Sequence, residues 1–351
     1  MKKIFNYVFV DGLSGMAQGL FATLIIGTII QQVGIFVGGA AGDLVFLIGK
    51  MAAAMTGVGI GVGVAKKYNA SPLVIVSSAT AGMVGAFASK ILAGSIMADG
   101  AVVLAGPGEP LGAFIAAFVA IEVGMLISGK TKLDIILTPL ISIGAGSIIG
   151  LLVGPGISSF MLWLGDLINW GTEQQPLVMG IIVSVLMGMI LTLPISSAAL
   201  GIILNLSGLA AGAATVGCCC NMVGFAAASF RENKWGGLMA QGIGTSMLQV
   251  PNIMKKPTIW LPAIISSAIL GPVGTMVFHM TSNATGSGMG TAGLVGPIMT
   301  WQVMTQTEEP MLVLIKILLI QIILPAVVTL LISEFMRKKN WIKEGDMKLE
   351  L

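Results

Sequence analysis

Cys218, Cys219 and Cys220 are all the cysteines of the chain, and they stand side by side in ATVGCCCNMVGF with Asn221 directly after them. Three thiols together could hold a metal or run a redox cycle. Consecutive helical positions point about 100° apart, so three neighbouring thiolates cannot close on one tetrahedral ion. Disulfide geometry is equally closed to adjacent residues of a helix. Other soft ligands are scarce, since His279 is the single histidine. The run therefore reads as small, polarizable packing residues, and the sequence predicts no metal and no cofactor. Asn221 has more chemistry to offer. A carboxamide in apolar surroundings needs hydrogen-bond partners, and such groups usually face an interior pathway.

Other polar residues cluster beside helix-breaking prolines. Ser196 and Ser197 follow Pro194, and Gln241, Thr245, Ser246 and Gln249 precede Pro251, with Asn252 just beyond. Gln241, Thr245, Gln249 and Asn252 recur at helical spacing, which would line one face of the segment 236–250. Amides donate and accept hydrogen bonds, as the hydroxyls of a sugar do, and prolines free backbone groups that substrate or water could satisfy. The same side chains could instead bond neighbouring helices. Glu122 lies inside AFVAIEVGML, where an ionised carboxylate is costly unless paired or wetted. It could bind sugar hydroxyls, couple protons, or pair with Lys50 or Lys90. His279 could relay a proton or contact substrate; its place near a helix end also fits an interfacial residue.

What positions these groups follows from composition. Of 351 residues, 56% are hydrophobic and 9% charged, with mean hydropathy +0.98. A soluble domain carries about 25% charged residues. Blocks such as LGAFIAAFVAIEVGMLIS, 111–128, reach the length that spans a bilayer. The chain is predicted to be an all-α polytopic membrane protein with about ten spans: 8–36, 44–65, 72–93, 111–128, 133–153, 176–193, 195–206, 209–230, 258–281 and 310–335. Three stretches, 195–206, 236–250 and 283–302, are short or polar and read as re-entrant, because irregular backbone survives at membrane depth only inside protein or beside a wet cavity. The segment 154–172, with Trp163 and Trp170, reads as an amphipathic interfacial helix. It would join two halves, about 8–153 and 176–335, of one transport domain covering 1–351. The 48 glycines imply close helix packing, and GVGIGVG at 57–63 belongs to that packing, since no Gly-Lys-Ser/Thr follows it.

Charge fixes the expected orientation. Lys and Arg collect at the start (MKK) and at 65–69, 128–132, 231–234, 254–257 and 337–343. The loops 37–43, 94–110 and 154–175 lack them and carry Asp43, Asp99, Glu109, Asp166 and Glu173. Short Lys/Arg-rich loops stay cytoplasmic, which puts both termini in the cytoplasm of a bacterial plasma membrane. The first apolar stretch is long and lacks a cleavage site, so it is read as a retained span. TAGMVGAFAS (80–89) also matches CNMVGFAAAS (220–229), and KTKLDIILTPLISIGAGSIIGLLVGP (130–155) parallels KKPTIWLPAIISSAILGPVG (255–274). Repeats with broken helices are a mark of secondary transporters. Strict inversion would leave Lys255 and Lys256 outside, whereas the charge pattern puts them inside.

LTLPISSAAL (191–200), LSGLAAGAATVGCCCNMVGFAAASFREN (206–233), GGLMAQGIGTSMLQVPNI (236–253) and GMGTAGLVGP (288–297) resemble the type 2 EIIC membrane proteins of the perfringolysin-regulator group, PTS sugar transporter subunit IIC. The resemblance covers nearly the whole chain. It implies a homodimeric permease subunit for a sugar-like solute within the phosphoenolpyruvate-dependent phosphotransferase system. The Gly-Ile-Thr-Glu type loop of better-known sugar permeases is missing, as is a phosphorylatable soluble domain. Any protein-phosphohistidine–sugar phosphotransferase activity would therefore need separate EIIA and EIIB subunits. Two alternatives stay open: a proton-coupled solute transporter, and a membrane sensor regulating toxin gene expression. No basic recognition module suggests a nucleic-acid partner.

Overall fold

The protein is described from a computed structural model, which covers residues 6–98, 100–104 and 106–349. Asp99 and the initial Met-Lys-Lys lie outside the described residues. Chain contacts divide the protein into two units, Met1–Met161 and Leu162–Leu351.

The first unit begins with α1, Asn6–Val37, then α2, Gly39–Ala54, and α3, Thr56–Lys67, which meet at a 52° bend. α4, Pro72–Ala86, and the short α5, Ala88–Leu92, follow. A two-residue hairpin, β1 Met97–Ala98 and β2 Ala101–Val102, precedes α6, Pro110–Ile127. Glycine decides how these helices meet. In α3, Gly59 and Gly63 sit one turn apart and face Gly19 and Gly15 of α1, while Gly57 and Gly61 face Gly82 and Ser78 of α4. A Cβ on Gly57 would lie 2.8 Å from the Gly82 carbonyl oxygen, and one on Gly59 would lie 2.6 Å from that of Gly19. GVGIGVG is thus a two-faced packing strip: alternate glycines admit a different neighbour on each side.

α7, Asp134–Thr172, is one helix of 39 residues, and the boundary between the units falls within it. The segment 154–172 is therefore not a separate interfacial helix, as expected from its two tryptophans, but the second half of α7. Pro155 removes one helical hydrogen bond and the helix continues through it. Trp163 and Trp170 remain more than half exposed on its surface.

The second unit contains α8, Pro176–Thr192, α9, Ser197–Ile203, and α10, Gly208–Ala228. Next come α11, Phe230–Met239, a π turn at Ala240–Gly244, a 3-10 turn at Ser246–Gln249, and α12, Val250–Lys255. α13, Pro257–Val277, is followed by α14, Ala284–Ser287, α15, Val295–Met304, and α16, Pro310–Lys338. The two matching sequence strings share a local fate. α4 ends at Phe87 (φ −110°, ψ 13°) and α10 at Ser229 (φ −98°, ψ 7°), and each is followed at once by a short helix.

Among the described residues, six helices are long and apolar enough to cross a membrane, or seven if α2 and α3 form one bent span. α4 and α8 are apolar but shorter. The expected ten spans thus exceed what length alone supports. The excess lies in 195–206, which contributes only the seven-residue α9, and in helices interrupted by turns. The outer surfaces are apolar, with Leu140, Leu152 and Leu331 all above 60% exposed, as lipid-facing spans require.

Candidate functional site

α10 is the most enclosed span. Protein covers 83% of its most apolar stretch, against 28% for α16. Its polar groups therefore answer to protein and not to lipid. Cys218, Cys219 and Cys220 are free and fully buried. Gly290 packs onto Cys218, where a Cβ would come within 2.8 Å of the cysteine Cβ. The Cys218 thiol lies 3.5 Å from the Met187 carbonyl and 3.6 Å from that of Ser287. Cys218 is a contact residue. Among the described residues, no group of three His, Cys, Asp or Glu could hold a metal ion.

Asn221, fully buried one residue after the thiols, sits where four elements cross. Its Oδ1 accepts from Trp260 Nε1 at 2.9 Å and from Thr192 Oγ1 at 3.2 Å. Its Nδ2 donates to the Gly217 carbonyl at 3.2 Å and to Ser267 Oγ at 3.3 Å. A carboxamide offers two donor hydrogens and two acceptor positions, and all four are met. Gly188 of α8 makes room for the amide, since its missing side chain would overlap Asn221 Nδ2. Ser246 Oγ, on the 3-10 turn, lies 2.8 Å from Thr192 Oγ1 and extends the network beyond the helices. Thr192, Asn221, Ser246 and Ser267 are all fully buried, and Trp260 is half-buried.

Gln241, Gln249 and Asn252 join a different network. The segment 236–250 is not one helix presenting one polar face. Thr245 is extended (φ −159°, ψ 139°) and breaks it, its hydroxyl accepting from the Met247 backbone N–H. The break folds the amides into a chain. Gln241 Nε2 donates to Ser229 Oγ at 2.9 Å, Gln249 Nε2 to Gln241 Oε1 at 2.9 Å, and Asn252 Nδ2 to Gln249 Oε1 at 2.9 Å. The chain ends on main chain: Gln249 donates to the Met347 carbonyl at 3.0 Å and Asn252 to that of Lys348 at 2.9 Å. The amides singled out in the sequence thus divide between two networks and do not share one hollow.

The remaining candidates are placed as follows. Ser197 Oγ donates to the Gly288 carbonyl at 2.6 Å, tying α9 to the glycine-rich turn after α14, and Ser196 is buried beside it. That turn has left-handed backbone at Gly290, Gly293 and Leu294, so 283–302 is broken chain as its composition suggested. His279 is exposed at the end of the turn after α13, with φ 48°. Glu122 belongs to the first unit. Its observed partner is not a lysine: Tyr7 donates its hydroxyl to Glu122 Oε1 at 2.7 Å, and Tyr68 stacks on Tyr7 with ring centroids 4.2 Å apart.

Thr192, Ser267 and Trp260 were not among the sequence candidates, because their role depends on helices 29 to 46 residues away in the chain. The only hint was Trp260 beside two prolines, in KKPTIWLP.

Bilayer-length apolar helices, broken segments inside the second unit, and a buried hydroxyl–amide network where they cross define a helical membrane transport protein. Residues 10–349 match the family described as Phosphotransferase system, EIIC, and the chain belongs to that family. It is a membrane permease subunit of a phosphotransferase-system sugar transporter, and it works with EIIA and EIIB subunits. No curated protein matches the chain.

Proposed function

We propose that the sugar is bound in the second unit beside Asn221, with Thr192, Ser246, Ser267 and Trp260 as the groups that exchange their mutual hydrogen bonds for sugar hydroxyls. The observation that carries this is the fully satisfied Asn221 network at the crossing of α8, α10, α13 and the 3-10 turn. Each member is neutral and both donates and accepts, or offers an indole N–H, so a sugar can replace it without stranding a charge. The Trp260 ring adds an apolar face for the C–H side of a pyranose. Ser246 opens the 3-10 turn directly after the extended Thr245, where a bend opens the network without breaking an α-helix. Ser196 and Ser197, at the neighbouring break before α9, supply the next hydroxyls along the path.

Sugar uptake in vesicles supplied with phosphoenolpyruvate and the soluble components tests this reading. Trp260→Phe keeps the ring and removes the N–H, and is expected to raise KM about 5- to 10-fold, the worth of one hydrogen bond. Unchanged uptake by a folded Trp260→Phe protein and by a folded Asn221→Ser protein would overturn it.

The orientation with both termini in the cytoplasm of a bacterial plasma membrane is part of the same proposal. In the second unit, the basic stretches at 231–234, 254–257 and 337–343 meet at one end through Arg231–Glu334, Arg337–Glu232 and Lys256–Asp346. In the first unit, Tyr68 donates to the Tyr7 carbonyl and Ser71 pairs with Ser128, bringing residue 7 and the basic stretches 65–69 and 128–132 to one end. Clustered Lys/Arg at one end is what cytoplasmic loops show. A homodimer follows from the family resemblance, and mass measurement of the purified protein checks it.

A further inference from the structure

The segment after α16 folds back under the second unit, and the contacts that hold it have the form of ligand recognition. Asn233 reads its backbone twice: Nδ2 donates to the Met347 carbonyl at 2.8 Å, and Oδ1 accepts from the Leu349 N–H at 2.8 Å. Gln249 donates to the same Met347 carbonyl and Asn252 to the next one. The Met347 side chain is fully buried in an apolar cluster with Phe225, Ile253, Ile259 and Met336. At the rim, Lys256 Nζ meets Asp346 Oδ2 at 2.6 Å, and Glu232 Oε1 accepts from the Gly345 N–H at 3.0 Å. Lys343, Glu344 and Lys348 point to solvent.

This pattern is that of a peptide in a groove. Amides address main-chain groups, one apolar side chain fills a pocket, and an ion pair fixes the register. The amides doing the reading lie on or beside the broken stretch Ala240–Lys255, whose own helical hydrogen bonds are interrupted at Thr245. Gln249 and Asn252 therefore connect the order of that stretch to the presence of the tail.

We infer that Asn233, Gln249 and Asn252 form a peptide-binding slot whose resting occupant is the chain's own Gly345–Leu349, so that the broken segment 240–255 is latched while the tail is seated and released when it leaves. The slot lies apart from the Asn221 network and does not depend on where sugar binds. Its ligand class is a peptide folded in a tight turn, with a methionine anchor preceded by an acidic residue.

Hydrogen exchange on the full-length protein in detergent tests the latch without any sugar. Asn233→Leu removes both backbone readings. Exchange is expected to rise at least tenfold in 240–255 and 343–349, with α10 residues 208–228 unchanged. No rise in 240–255 would overturn the inference. Should protection fall in α10 as well, the rim variant Lys256→Asp decides. A local rise in 240–255 and 343–349 that Asp346→Lys reverses in the double variant supports the latch. Any other result, including loss of α10 protection in both variants, means the tail is an inseparable part of the fold, and the slot is withdrawn.

Discussion

Asn221 and Gln249 are both fully buried amides in the second unit, yet they close on different kinds of partner. Asn221 is enclosed by side chains and a carbonyl of membrane helices: Trp260, Thr192, Ser267 and Gly217. Gln249 ends on the main chain of Met347, 98 residues away, in a segment with exposed neighbours on either side. The first network depends on which side chains surround it, because Trp260 only donates while the Thr192 and Ser267 hydroxyls both donate and accept, each from a fixed place on its helix. The second reads backbone, carbonyls that every residue carries at Met347 and Lys348 and an N–H that any residue but proline carries at Leu349, and only Met347 fills a defined apolar space. In the first, a Trp260 N–H stranded by mutation is held inside the helix crossing. A polar group stranded in the second can follow the tail into water.

Arg337 gives that contrast its largest test. Its guanidinium donates to Glu232 Oε1 at 3.1 Å and to the Ala228 carbonyl at 3.2 Å, with 10% and 3% of the Arg and Glu side chains exposed. Removing one partner of such an enclosed pair leaves the other charge unpaired, at a cost of about 3–5 kcal/mol. Arg337→Ala should lower the unfolding midpoint sharply in detergent, and adding Glu232→Gln should recover part of the loss. A change of about 1 kcal/mol or less, the worth of a surface pair, would show that the slot end of the unit is far wetter than its geometry implies.

A smaller effect separates the two amides directly. Asn221→Leu leaves the Trp260 N–H without its acceptor, at about 1–3 kcal/mol, while the Thr192 hydroxyl keeps the Gly188 carbonyl and Ser246, and the Ser267 hydroxyl keeps the Ala263 carbonyl. Gln249→Leu leaves Gln241 Oε1 without its donor and Asn252 Nδ2 one acceptor short, while the Met347 carbonyl keeps Asn233 Nδ2, and the tail can lift and hydrate. Asn221→Leu is expected to be the more destabilising of the two by more than about 1 kcal/mol. Thermal unfolding of the two variants side by side measures it, and equal losses would erase the distinction between a locked network and a releasable one.

The difference also explains what the sequence could reveal. α1, α6 and α10 are legible as unbroken apolar blocks, and GVGIGVG is legible as packing because glycines two apart must serve two faces. That Asn221 needs partners follows from its apolar flanks alone. Which partners it takes does not, since Thr192, Ser267 and Trp260 reach it only through helix crossings. The spacing of Gln241, Thr245, Gln249 and Asn252 suggested one polar helix face, whereas Gln241, Gln249 and Asn252 hydrogen-bond to one another in a chain. The helix that was to gather them is broken at Thr245, and their target lies 96 to 98 residues further on. Trp163 and Trp170 suggested a separate interfacial element where α7 runs on, because the hydrogen bond lost at Pro155 does not end a helix held on both sides of it. Local pattern reports what a residue requires. Long-range packing decides who supplies it.

The smallest effect concerns the rim of the slot and its dependence on pH. Partial burial works against the charged form of Asp346, but hydrogen bonds from the Lys256 ammonium and the Lys343 backbone N–H, with the charges of both lysines, outweigh it and hold the carboxyl below its usual 3.8. A carboxyl with a lowered folded-state pKa favours the seated tail fully above its ordinary value, and loses that contribution as pH falls through the lowered one. The tail should therefore stay seated from neutral pH to about pH 4 and loosen below it. The native cysteines are buried, so a nitroxide on the exposed position of Glu344→Cys labels the tail selectively, and its mobility follows the change. Asp346→Asn should leave the label partly mobile at neutral pH and flatten the response, while the Asn221 network, which holds no carboxylate, stays indifferent over the same range. A wild-type label whose mobility is constant from pH 7 to pH 3 would show that Asn233 and Met347 seat the tail without help from the ion pair, and the slot would then be set by backbone reading and apolar anchoring alone.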